Sequence, residues 1–185
     1  MTNIYRQFCF TLFLAATLAG CATGPKLSQE QILAQNEQIA KLDKGLKDAA
    51  AQGVDNLAPE GYRAATEQLK EAVSEAKADR QGTANSAASS GLKRLAKANA
   101  DAERSRDLLR DVLEARDRAY RAGASSVFPD STDDLDTDFR KVASLVEDGR
   151  LEDAKQRRQR LIAGYEQLEL AALQEGTVEA AQAAI

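Results

Sequence analysis

The stretch LEDAKQRRQRLIAGYEQLELAA, Leu151 to Ala172, decides the fold class. Within it Leu151, Ala154, Arg158, Leu161, Tyr165, Leu168 and Ala172 follow one another at intervals of three and four residues. That spacing lays a nearly unbroken seam along one side of a helix, whereas a half-buried strand alternates every second residue. The rhythm recurs upstream. Leu135, Phe139, Val142 and Val146 share a face, as do Tyr62, Ala65, Leu69, Ala72, Val73 and Ala76. Ala88, Leu95, Ala102 and Leu109 fall seven apart. Ile32, Ile39 and Leu46, with Leu42 three after Ile39, make a shorter coiled-coil-like stripe. It lasts under three heptads and carries Gln35 at a seam position, so packing against the chain's own helices is expected. The fold class is therefore all-α, as an elongated antiparallel helical bundle.

Glycine and proline divide the seams into five helical segments. The first runs over 28–50. Gly53 to Pro59 is a break, with Pro59 at the first turn of the next helix, where its missing N–H costs nothing. Arg80-Gln81-Gly82-Thr83 ends that helix, and the longest segment follows over 84–122. Its start, Asn85 to Gly91, is rich in weak helix formers and is expected to fray or bend. Gly123 to Asp130 is the second break, Asp148-Gly149-Arg150 a tight reversal, and Gly176 the end of the last helix. A shift of 70 residues lays Pro59 on Pro129, Glu60 on Asp130, Leu69 on Phe139 and Ala72 on Val142. It also lays Ser74 on Ser144, Arg80 on Arg150 and Ala84 on Ala154. Chance matching in an Ala-rich chain competes with duplication. Under duplication, two hairpins stack to bury what neither buries alone. The expected organisation is a leader over 1–20, a spacer and N-terminal helix over 21–56, and hairpins over 57–122 and 123–175, with a tail over 176–185.

The first 20 residues have the form of a targeting segment. A short start with one positive charge, Arg6, precedes the apolar run from Phe8 to Ala19. Those 12 residues are too few for a membrane-spanning helix, which needs ~20, and suit the core of a secretory signal. The run ends Leu18-Ala19-Gly20-Cys21, which resembles the lipobox of bacterial lipoproteins. The resemblance implies a diacylglycerol on the Cys21 thiol, cleavage before it and acylation of the new amino terminus. An ordinary cleaved signal with a chance cysteine is the competing account. Two or more acyl chains make a stable anchor where one gives reversible binding. Ala22 follows the cysteine, not the aspartate that resembles an inner-membrane retention signal. The expected address is thus the periplasmic face of the outer membrane.

Composition then excludes several chemistries. The chain has no histidine and no tryptophan; its two cysteines are Cys9, lost with the leader, and Cys21, consumed by lipid. No thiol nucleophile, disulfide, Ser-His pair or His/Cys metal site is expected in the mature protein. Losing Arg6 takes the net charge from −4 to −5, which gives no reason to expect a nucleic-acid partner.

Pro59-Glu60-Gly61-Tyr62, with Ala65, Leu69 and Ala72 behind it, an Ala-rich return helix and the Ala122-Gly123-Ala124 junction resemble uncharacterised helical domains of envelope lipoproteins. The resemblance covers roughly 57–173. Those domains often precede an OmpA-like peptidoglycan-binding domain, absent from this sequence, so peptidoglycan binding by that route is not implied. The sequence does not end in the lysine that Braun's-type lipoproteins use to join the wall, so no covalent peptidoglycan link is expected.

Side-chain clusters suggest no catalysis, cofactor or metal. Asp130, Asp133, Asp134, Asp136 and Asp138 invite calcium, but an EF-hand loop opened at Asp134 needs glycine and glutamate where Phe139 and Leu145 stand. Helix capping explains the same acids. Lys155, Arg157, Arg158 and Arg160 either form a solvated face or meet phosphate-rich headgroups or an acidic partner. Arg158 alone falls on the apolar side, as a stem along the core or an interface ion pair. Tyr62, Tyr120 and Tyr165 are expected in seams. The functional expectation is a lipid-anchored, non-enzymatic scaffold that docks an envelope protein. The alternative is a periplasmic carrier of an apolar or lipid ligand held between helices.

Overall fold

The computed structural model describes residues 28–183, and among these every regular element is helical. The elements are α1 (Gln29–Gln35), α2 (Glu37–Ala51), α3 (Val54–Leu57), α4 (Pro59–Lys77), α5 (Gln81–Leu108), α6 (Arg110–Arg121), α7 (Ala124–Val127), α8 (Pro129–Glu147) and α9 (Leu151–Ala183). They form an all-α bundle, as the seams predict.

Four boundaries differ from the sequence expectation, each for a local reason. The first segment is two helices. Buried Asn36 turns its backbone extended and donates Nδ2–H to the Ile32 carbonyl at 2.9 Å, replacing a bond the helix would have made. Asn36 thereby takes the seam slot expected of Gln35, which is exposed. The stretch 85–91 is neither frayed nor bent. Ala84, Ala87, Ala88 and Gly91 are buried, and this packing overrides their weak propensity. The long segment expected over 84–122 breaks at Leu109. Its first half packs on α2 and α4 and its second on α9. The break at Leu109 thus falls inside the hairpin expected over 57–122. Lastly, α9 runs on through Gly176 to Ala183.

The 70-residue relation is written in the backbone. α3 and α7 have the same length at that offset, and so do α4 and α8. Gly53 and Gly123 hold φ of 74° and 89°, the left-handed conformation that ends α2 and α6. At the far turns Arg80 N–H donates to the Glu75 carbonyl at 2.9 Å and Arg150 N–H to the Leu145 carbonyl at 2.8 Å. Each closes a helix whose second following residue, Asp79 or Gly149, has positive φ. The repeating unit has three long helices: α2, α4 and α5, then α6, α8 and α9. α1 closes the first unit, burying Ile32 beside Ile39, Ala72, Val73 and Ala76. The main core runs through both units from Leu42 to Ala172, so the two are one folded body.

Alanine sets the helix spacing. Ala65, Ala72, Ala88 and Ala98 are buried along the α4–α5 pair, the most extensive in the protein. A side chain begun at Gly91 would run into the buried Leu42 side chain, which would have to move aside. Of the α9 seam, Ala154, Leu161, Tyr165, Leu168 and Ala172 are buried. Leu151, expected with them, is 43% exposed and lines an open depression with Leu108 and Val146.

Candidate docking site

The basic run falls at a groove. α8 and α9 lie antiparallel, and Leu135, Asp138, Lys141 and Val142 face Arg157, Arg160 and Leu161 across a depression of about 220 Å³. Leu135 reaches over Gly164, where a Cβ would stand 2.6 Å from its methyl group, which holds the helices close and the groove shallow. Lys141 is paired with Asp138 at 2.8 Å. Arg157 and Arg160 have no ion-pair partner among the described residues. Arg158 points the other way, into the interface the sharper reading anticipates. Its guanidinium meets Asp111 at 3.2 Å and donates to the Leu108 carbonyl at 3.3 Å. It clamps α9 to the α5–α6 break, where that carbonyl has no α-helical continuation.

Behind the groove the three helices of the second unit are tied by one carboxylate. Asp136 Oδ1 accepts from Arg116 Nε at 2.8 Å and from the Tyr165 hydroxyl at 2.7 Å. Oδ2 accepts from Arg116 Nη2 at 2.7 Å and from the Tyr120 hydroxyl at 2.6 Å. The Arg116 guanidinium also lies 4.5 Å from the centre of the Tyr120 ring. Burial pushes the Asp136 carboxyl up, but the bonds from Arg116, Tyr120 and Tyr165 outweigh it and hold the group below its ordinary value. Burial, then the bond to Asp136, raises the Tyr165 phenol far above its ordinary range. The carboxylate's lone pairs are engaged, so the cluster acts as a clamp and has no proton acceptor to spare for chemistry.

A second clamp joins the units. The Glu147 carboxylate at the end of α8 accepts from Glu60 N–H at 3.0 Å and Gly61 N–H at 2.8 Å, capping α4 from another element. Burial raises its pKa, against the effect of those two bonds, with the charges of Asp101 and Glu60 adding to the rise. Glu147→Ala is expected to cost about 1–2 kcal/mol, as for loss of an N-cap, read from urea midpoints. A folded pKa above the ordinary 4.5 means the charged form is the disfavoured one. The protonation-linked part of its contribution is fully present below 4.5 and lost as pH rises through the folded value, so the variant should also flatten that slope.

Residues singled out in the sequence separate in the structure. None of the acids caps α8 by a side-chain bond and only Asp130 lies in its first turn; Asp130, Asp133, Asp134 and Asp138 are exposed, while Asp136, the eighth residue of α8, is buried. Tyr165 is fully buried in its seam, and Tyr62 and Tyr120 are partly buried; Tyr62 donates to the Leu46 carbonyl at 3.3 Å. No group of three or more potential metal ligands occurs among the described residues. No helix among them is long and apolar enough to cross a membrane. Leu18, Ala19, Gly20 and Cys21 lie outside the described residues. No protein-family model, curated protein or solved structure matches the chain.

Proposed function

We propose that this chain is a bacterial lipoprotein, held by lipid on Cys21 at the periplasmic face of the outer membrane, whose helices form a non-enzymatic docking scaffold. The observation that carries the anchoring is Leu18-Ala19-Gly20-Cys21 at the end of a 12-residue apolar run, with Ala22 behind it. Two features support the scaffold. Asp136, the buried carboxylate with a lowered pKa, is committed to holding three helices together, and the polar α8–α9 groove is open to solvent. Tandem helical units of this kind present surface over their length.

Replacing Cys21 by serine is expected to abolish incorporation of labelled palmitate and to move the chain from the membrane to the soluble fraction. A serine variant that still takes up label, or still sediments with membranes, overturns the anchoring. Docking is tested by a photo-crosslinking residue at position 157 or 160 in intact cells. A discrete adduct with another envelope protein is expected, and cross-linking indistinguishable from that of position 70 on α4 sinks it.

One observation favours the carrier reading. An open depression of about 360 Å³ is lined by Leu108, Val146 and Leu151, with Arg104 and Asp107 at its edge. Its volume reaches the lower range of ligand sites. A lipid that co-purifies with the chain and is lost on Leu151→Glu supports that reading against the scaffold.

A further inference from the structure

The α8–α9 face is bipolar. One end carries Arg157 and Arg160, which have no ion-pair partner among the described residues; Lys141 beside them is neutralised by Asp138. The other end carries Asp130 and Asp134. Both are exposed and likewise have no ion-pair partner among the described residues. Asp130, Asp134 and Asp138 are spaced by four and so form one stripe, and Asp138 lines the groove. Between the two ends sits half-buried Leu135 over Gly164, a close and shallow centre.

This arrangement discriminates among occupants. A uniformly acidic surface, whether an acidic protein segment or an anionic membrane, meets Arg157 and Arg160 only by bringing like charge onto Asp130 and Asp134. A second copy of the same face has no such conflict. Related by a two-fold axis lying in the contact, it sets each copy's arginines against the other's aspartates and repeats every favourable pair twice. We propose that the α8–α9 face is a self-association surface, on which a second copy of this chain docks through reciprocal pairing of Arg157 and Arg160 with Asp130 and Asp134. The contact does not depend on acylation of Cys21; it uses the residues of the docking proposed above, so a cross-linker at 157 or 160 that captures a second copy of this chain and no other protein supports self-association and sinks that docking.

Two differently tagged copies of the full chain, co-expressed and extracted in mild detergent, test it. The unmodified copies are expected to co-purify. R157E/R160E is expected to lose pairing with itself, with a dimer dissociation constant raised roughly tenfold or more. D130R/D134R should lose self-pairing as well. The decisive arm mixes the two variants. Their faces are uniformly acidic and uniformly basic, so the mixed pair should form at least as well as the unmodified pair and weaken as salt rises. Helical circular dichroism, expected to match the unmodified chain because all four residues are exposed, separates loss of contact from loss of fold; D130R/D134R should melt slightly lower, having lost the favourable charge of Asp130 in the first turn of α8. Absence of co-purification of the unmodified copies overturns the proposal. So does self-pairing of R157E/R160E at the unmodified level, or failure of the mixed pair when both variants are folded.

Discussion

Asp136→Ala is expected to lower stability by about 3 kcal/mol, near the lower bound for removing one partner of a buried ion pair. The change leaves the Arg116 guanidinium, whose side chain is only 29% exposed, without its carboxylate. It also leaves the Tyr165 hydroxyl, buried beside it, without an acceptor. For a chain of this size the melting temperature should fall by roughly 6–12 °C. Tyr165→Phe removes one donor and leaves the carboxylate three others, so it should cost about 1 kcal/mol. Thermal and urea unfolding followed by circular dichroism measure both; equal losses from the two variants would show that Asp136 is not the hub. The pH dependence has a definite sign. The Asp136 pKa is lowered on folding from an ordinary 3.8, so its contribution is present above that value. It is lost as pH falls through the lower folded value, and the Asp136→Ala variant should lack this acid limb.

Ala98→Leu is expected to match or exceed that loss. Ala98 is fully buried on α5 against Gly61 of α4. A Cβ on Gly61 would already stand 2.9 Å from the Ala98 Cβ and 3.3 Å from its Cα, and neither atom can rotate away. A leucine there must push the helices apart, at about 3 kcal/mol or more, the upper end of overpacking costs. It should also pull Gly61 from the Glu147 carboxylate, only 2.8 Å from its N–H, so the cost includes the clamp between units. Combining Ala98→Leu with Glu147→Ala should therefore cost less than the sum of the two. Additive losses would show that the cap and the close approach are independent.

Helix boundaries set by glycine and proline were readable because those residues act through their own backbone. Gly53, Gly123 and Gly149 stand at left-handed positions, and Pro59 and Pro129 open helices, wherever the surrounding chain goes. The boundaries that were not readable are those made by packing. Leu109 is a good helix former on a seam, and nothing local marks it as the point where α5 leaves one unit and α6 joins the next. The poor formers of 85–91 stay helical because Ala84, Ala87 and Ala88 bury against α1, α2 and α4.

The candidate site divides in the same way. Its basic run was plain in the sequence, yet Arg157, Arg158 and Arg160 look alike there. Only the course of α9 between α6 and α8 sends Arg158 to Asp111 and leaves the other two facing the groove. Asp136 was hidden among five acids within nine residues, and its partners lie 20, 16 and 29 residues away. By itself the sequence determined the all-helical class and the turns set by glycine and proline, since these depend on periodicity and on single residues with strong local preferences. The tertiary structure alone decided which acid is buried, which arginines are unpaired and where one unit ends. Those outcomes depend on distances between helices, and a change of one or two residues in register would reverse them.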